Sequence, residues 1–180
     1  MNILAFDTAT EILSVALSAH TGPRGISLSV TRDAGLHHAR SLMPLVQSLL
    51  DEAGVAPTEL DLVACTRGPG SFTGLRIGMA SAKGLAMAIA EARGLKAPPV
   101  LSLPTLDVMA FPFGQTPYAV VPVIDGKKGR FYCAVFRGGS KVTSDLDIEP
   151  REILPLLSTV GGSAFSGGAD GGTGSHGVLV

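Results

Sequence analysis

The feature that most constrains this chain is a change of hydrophobic period near residue 37. Before it, apolar residues alternate; after it, they recur every three or four positions. Asn2-Ile3-Leu4-Ala5-Phe6 reads as a buried strand ending in the polar turn Asp7-Thr8-Ala9-Thr10. Residues 12–19 alternate around Leu13, Val15 and Leu17, and residues 26–31 alternate again after a turn over 20–25. Three strands joined by short links make an antiparallel meander. From about His37 to Ala53, residues Ala39, Leu42, Met43, Val46, Leu49, Leu50 and Ala53 share one helical face. Pro44 is expected to kink that helix and Gly54 to stop it. Leu60 to Thr66 follows as a strand, then a loop over 67–72 and a long helix from about Thr73 to Arg93. Val100 to Leu103 is a short strand, and another helix is expected to start near Pro104 or Thr105. The order β-β-β-α-β-α-β fits a meander extended by parallel strands through helical crossovers.

A second segment starts near Tyr118. Residues 120–125, the turn Gly126-Lys127-Lys128-Gly129 and residues 130–136 predict a hairpin, with a further strand around Val142. A short helix over 148–157 is interrupted by Pro150 and Pro155. The expected division is therefore 1–112 and 113–180. After about residue 158 Gly, Ser and Ala dominate, which predicts loop or partial disorder. With 180 residues, 46% of them hydrophobic, the chain has enough apolar surface for a real core. A net charge of −1 excludes a strong whole-chain electrostatic footprint for nucleic acid. No apolar run approaches the roughly 20 residues that span a bilayer. The apolar start is also too short for a secretory signal, so the expectation is a cytoplasmic protein without membrane contact. Cys65 and Cys133 lack metal-binding spacing and read as buried, reduced thiols.

Three stretches carry candidate chemistry. In the turn Asp7-Thr8-Ala9-Thr10, hydroxyls and amides can cradle a phosphate and the carboxylate can hold a magnesium-bound water; the same residues also simply shape hairpins. Asp125-Gly126 sits at a similar strand end. The run Arg67-Gly68-Pro69-Gly70-Ser71-Phe72-Thr73-Gly74-Leu75-Arg76-Ile77-Gly78 joins a strand to a helix N-terminus, where free amides favour anions. It is neither a Walker loop nor a Rossmann fingerprint, because the closing Gly-Lys-Ser/Thr and the third spaced glycine are missing. No His-x-x-x-His and no Gly-x-Ser-x-Gly occurs anywhere, and His37-His38 point in different directions, which suits a surface or capping role better than a metal.

The helix beyond the run is built from small residues. Gly74, Gly78, Ala82, Ala86 and Ala90 repeat every four positions, and Ala80, Gly84, Ala88 and Ala92 form an adjoining row. Each interior glycine costs roughly 1 kcal/mol against alanine, so close approach by another element must compensate. The preceding helix of the same chain and a helix of a second subunit both satisfy that need.

In order and spacing, the Asp7-Thr8-Ala9-Thr10 turn, the Arg67 to Gly78 run and the Val123-Ile124-Asp125 hairpin with Phe131-Tyr132 resemble the TsaB family, also called YeaZ. The resemblance covers about residues 1–136. It implies an α/β fold of the actin/Hsp70/sugar-kinase-like, ribonuclease-H-like kind, with two lobes, the second abbreviated here. It also implies a role in making threonylcarbamoyladenosine beside the anticodon of tRNAs reading codons that start with A. In that family the chain is a noncatalytic platform. It pairs through a helical bundle with a TsaD-like catalytic subunit, is joined by a TsaE-like ATPase, meets tRNA indirectly through the complex, and forms a homodimer when alone. The implied interface lies on the two helices, at Leu42 and Val46 and at Gly74, Ile77, Gly78, Ser81 and Ala82. The catalytic paralogue's His-x-x-x-His metal motif would fall at Pro104-Thr105-Leu106-Asp107-Val108-Met109, which has no histidine, so neither a metal site nor catalytic residues carry over. No cofactor is required by this role; ATP, ADP or magnesium would be held by Asp7, Thr8 and Thr10. Gly167-Gly168-Ala169 echoes a nucleotide-contacting turn. The competing reading is an enzyme, an actin-fold ATP-dependent phosphotransferase or glycoprotease-like hydrolase using Asp7 and Asp125.

Overall fold

The computed structural model describes residues 1–20, 25–35 and 37–161. The glycine-rich tail, with Gly167-Gly168-Ala169, and the centre of the turn after residue 20 lie outside the described residues. The chain divides into two compact units between Thr105 and Leu106, ahead of the boundary expected after residue 112. The reason lies in packing: Leu106 and Ala110 are buried with Val120, Ile124, Ala134 and Phe136 of the second unit.

The first unit is a five-stranded sheet. Strands β1 (Ile3–Asp7), β2 (Ile12–Ala19) and β3 (Ile26–Asp33) form the expected meander, and β4 (Leu62–Thr66) and β5 (Val100–Leu103) extend it in the order β3-β2-β1-β4-β5. The β1–β2 and β2–β3 pairings are antiparallel, whereas β1–β4 and β4–β5 are parallel. Parallel neighbours need crossovers, and α1 (His38–Ala53) and α2 (Phe72–Arg93) supply them. Register places Leu4 beside Leu17 and Val63, and Phe6 beside Val15 and Cys65. Alternation therefore turns one apolar row towards the helices, where Leu42, Val46, Leu49, Leu50, Ala82 and Ile89 cover it.

Both helices end as their sequences require. Gly54 and Gly94 adopt left-handed φ of 64° and 61°, and their amides close the last turns. Ser71 caps α2 by accepting from the Gly74 amide at 3.3 Å. Helix α1 runs on through Pro44, which lies on its solvent side, so the hydrogen bond it cannot make does not cost a buried one.

Helix α3 (Thr105–Ala110) begins at the last residue of the first unit, and the second unit contains two small sheets. Strands β6 (Ala119–Val120), β9 (Phe136–Arg137) and β10 (Ser140–Lys141) form one; β7 (Val123–Lys127), β8 (Arg130–Cys133) and β11 (Leu146–Ile148) form the other. The hairpin expected over 120–136 is thus divided. Pro122 interrupts its first arm, and the second arm changes sheet at the fully buried Ala134-Val135. Before that change Cys133 faces Val123 and Leu146; after it Phe136 faces Val120 and Lys141. The β7–β8 turn has φ of 54° at Lys128 and 73° at Gly129, the positive pair that a two-residue hairpin turn needs. The last helix, α4 (Ile153–Gly161), starts after a tight turn at Pro150–Glu152. Pro155 falls in its first turn, where a missing amide proton is harmless.

Cys65 and Cys133 are free and buried, and burial pushes both thiols up from their ordinary pKa. Among the described residues, no helix is long and apolar enough to cross a membrane.

Candidate functional site

The first unit concentrates its unusual geometry where the β1–β2 turn meets the N-terminus of α2. Asp7 Oδ1 accepts from the Ala9 amide at 2.8 Å and from the Thr66 hydroxyl at 2.7 Å, which folds the turn and ties it to β4. The Thr8 hydroxyl, in a residue 1% exposed, donates to the Gly74 carbonyl at 2.8 Å. The Ser71 amide donates to the Ala9 carbonyl at 2.6 Å, and the Thr10 hydroxyl accepts from the Ile12 amide at 3.2 Å. Of the groups expected to cradle a nucleotide, the Thr8 hydroxyl is therefore spent inside the fold, and Asp7 and Thr10 each serve the turn. Thr8→Val keeps the shape but removes one of two donors to the Gly74 carbonyl, which still accepts from the helical amide of Gly78. It is expected to cost about 0.5–1.5 kcal/mol in urea-induced unfolding.

The glycines of α2 answer the question of what their row approaches. A Cβ on Gly74 would lie 1.9 Å from the Thr8 carbonyl oxygen, and one on Gly78 would lie 2.4 Å from the Thr8 hydroxyl. The close partner is thus the β1–β2 turn of the same chain. At these two glycines the approach comes from that turn rather than from the preceding helix. Ala82 and Ala86 continue the same buried row, and Leu42 and Val46 of α1 are buried in the sheet-facing core. Of the implied interface residues, Leu42, Val46, Gly74, Gly78 and Ala82 consequently cover the chain's own sheet and turn; Ile77 and Ser81 keep partial exposure.

The open side of α2 carries the other small-residue row. Ala80, Gly84 and Ala88 are exposed, nothing stands within 4 Å of a Cβ built on Gly84, and Met87 beside them is 69% exposed. Phe72 at the start of the helix is 71% exposed, with the Arg76 guanidinium 4.5 Å above its ring.

The loop before α2 is a structural tie. Its Arg67 donates through Nη1 to the Ser102 carbonyl at 2.8 Å, and Gly68 exchanges bonds with Thr105 through both its amide and its carbonyl. A Cβ on Gly70 would sit 2.4 Å from the Ala9 carbonyl oxygen. The loop thus holds the end of β5 on one side and the β1–β2 turn on the other, and its glycines permit the approach.

In the second unit Asp125 is exposed. Its carboxyl accepts from the Lys127 amide at 2.8 Å, a bond that holds it below the usual carboxylate range, and pairs with Lys127 Nζ at 3.3 Å. This is a turn-shaping arrangement. Lys141 lies between Asp107 at 2.6 Å and Asp145 at 2.5 Å, and over the Phe136 ring at 5.5 Å. Among the described residues, no three His, Cys, Asp or Glu side chains converge as a metal site would require. His37 is exposed at the start of α1, and His38, next to it, is buried.

Against known proteins, residues 12–154 match the family model described as TsaD, tRNA N6-adenosine threonylcarbamoyltransferase. The chain is 37% identical over 139 residues to the tRNA threonylcarbamoyladenosine biosynthesis protein TsaB of Escherichia coli, covering 76% of this chain and 55% of that protein. It is 34% identical to the protein of the same name from Haemophilus influenzae, over 86% of this chain and 62% of the relative. The chain therefore spans little more than half the length of these curated relatives. A crystal structure from Pseudomonas aeruginosa, described as an uncharacterized protein with similarity to peptidase YeaZ, superposes with a TM-score of 0.69 at 36% identity. That match covers 83% of this chain and 67% of the other. The shared features are the α/β architecture and, from the family model, the stretch that includes the loop and α2 of the junction described above, the Asp7-Thr8-Ala9-Thr10 turn lying ahead of the matched residues. On this evidence the chain belongs to the TsaB (YeaZ) group within the TsaD-related family.

Proposed function

We propose that this chain is a noncatalytic partner subunit in tRNA threonylcarbamoyladenosine synthesis. It binds and stabilises a TsaD-like catalytic subunit, with a TsaE-like ATPase joining the pair and tRNA met through the complex in the cytoplasm. The observation that carries this reading is the open stripe on α2, where Ala80, Gly84, Met87 and Ala88 face solvent on a 22-residue helix. Small residues allow a second helix to approach closely, and the dispersion gained along a flat face compensates for helix glycine. Ile77 and Ser81 border this stripe and belong to the proposed interface. A noncatalytic role is supported by the engagement of Asp7 and Asp125 in turn hydrogen bonds and by the histidine-free stretch from Pro104 to Met109. In the absence of the partner, the same stripe serves a homodimer.

The test is reconstitution. Co-expressed with a TsaD-like subunit, the chain is expected to co-elute with it on gel filtration and, with the TsaE-like ATPase, to restore tRNA modification in vitro. The chain alone should show no turnover. Separate elution, or turnover by the isolated chain that disappears in Asp7→Asn, would overturn the reading in favour of an actin-fold enzyme.

A further inference from the structure

The accessible sulfur of this chain is a thioether rather than a thiol. Cys65 and Cys133 are buried, and burial pushes both thiols up, so neither presents the thiolate that an oxidant attacks. The methionines divide differently. Met79 and Met109 are partly buried and pack against the cores of their units. Met1 is exposed at the chain start, Met43 on α1 is 41% exposed, and Met87 on α2 is 69% exposed, the highest of the five.

Position decides what oxidation at Met87 does. It shares the open side of α2 with Ala80, Gly84 and Ala88, and among these four residues it alone carries a side chain longer than a methyl group. Nothing stands within 4 Å of a Cβ built on Gly84, so a neighbouring helix can approach closely beside it. A flexible thioether fills the gaps that such small residues leave. A sulfoxide has the same skeleton with a polar oxygen on the sulfur. The side chains of Ala80, Gly84 and Ala88 have no donor for that oxygen. Burying it against a helix leaves it unpaired, or draws the charged Lys83, one turn earlier on α2, into the contact. In the free chain the oxygen faces water and the fold is unaffected.

We propose that Met87 is an oxidative modification site whose sulfoxide blocks association through α2, an inference that rests on assigning this stripe to the partner interface. The oxidant is a peroxide. One of its oxygens passes to Sδ as the O–O bond breaks, sulfur gives up two electrons, and the other oxygen leaves as water. Methionine sulfoxide reductases reverse the step: a pair of thiols is oxidised to a disulfide and the sulfoxide oxygen departs as water.

The experiment treats the whole chain with hydrogen peroxide, alone and mixed with a TsaD-like subunit, and maps each methionine by peptide mass spectrometry. Met87 is expected to oxidise about tenfold faster than Met79 and Met109 in the chain alone, and more slowly in the complex. Calorimetric titration is expected to show affinity for the TsaD-like subunit lowered by roughly tenfold after oxidation, with the melting point of the chain unchanged. Reductase with dithiothreitol should restore binding. Met87→Leu conserves the volume, so it should bind as the untreated chain does and keep that affinity after peroxide. Met87 oxidising no faster than Met79 and Met109, undiminished affinity of the oxidised chain, or an equal loss in peroxide-treated Met87→Leu would each overturn the proposal. If the untreated chain does not bind, the interface assignment falls and the blocking role falls with it, so the untreated titration tells the two failures apart.

Discussion

Gly74→Ala is expected to lower the thermal midpoint of the first unit by on the order of 10 °C, while Gly84→Ala, on the same helix, raises it by a few degrees. The contrast follows from what each new methyl group meets. At Gly74 it would lie 1.9 Å from the Thr8 carbonyl oxygen, a backbone atom that cannot rotate away. Helix and turn must separate, and the Thr8–Gly74 hydrogen bond across 66 residues of chain is stretched or lost. Overpacking costs about 1–3 kcal/mol and the lost bond about 1 more. Gly84 faces open space, so alanine there only removes unfolded-state freedom and adds roughly 0.5–1 kcal/mol of stability. Differential scanning calorimetry of both variants checks the pair. Equal and small effects of both would show that the turn does not press on α2 as described.

The second large effect concerns association. Gly84→Arg is expected to weaken binding to a TsaD-like subunit at least a hundredfold, about 2.7 kcal/mol, while the chain's own melting point stays the same or rises. Arginine is a better helix former than glycine and has room at this position in the isolated chain. In a helix-to-helix contact built on small residues, the same side chain forces the partner away. Isothermal titration calorimetry beside a melting curve separates the two quantities. Undiminished binding would remove the open stripe of α2 from the interface. Leu42→Ala makes the opposite comparison: Leu42 is buried in the core, so any loss of association there follows loss of stability.

Much of this architecture is legible in the order of residues. Alternation marked the meander, the three-to-four period marked α1, and Gly54 and Gly94 marked where both long helices stop. These are local effects, set by side-chain direction and by backbone freedom within one turn. The split of the 130–136 arm was not legible, since an unbroken apolar strand reads the same whether it keeps one partner or exchanges it at Ala134-Val135. The unit boundary was displaced for a similar reason: Leu106 and Ala110 form an ordinary helical stretch whose core lies later in the chain.

The candidate site shows the same division more sharply. The Asp7 turn and the Arg67 to Gly78 run stood out in the sequence, and the structure joins them into one junction. Which small-residue row of α2 faces inward was not decidable there. Glycine and alanine differ too little in hydropathy to orient a helix, and either row could meet a partner. The burial of His38 Nδ1 without a partner among the described residues gave no sequence signal at all, because it depends on where the Thr10 carbonyl falls.

By itself, then, the sequence determined the element order, the helix stops and the family resemblance carried by the Arg67 to Gly78 run. Only the tertiary structure decided that Gly74 and Gly78 serve the chain's own β1–β2 turn, and that Ala80, Gly84 and Met87 are left exposed. Propensity and period act within a few residues. The direction a nearly uniform helix turns is set by contact with a threonine 66 positions earlier, and no local pattern encodes that contact.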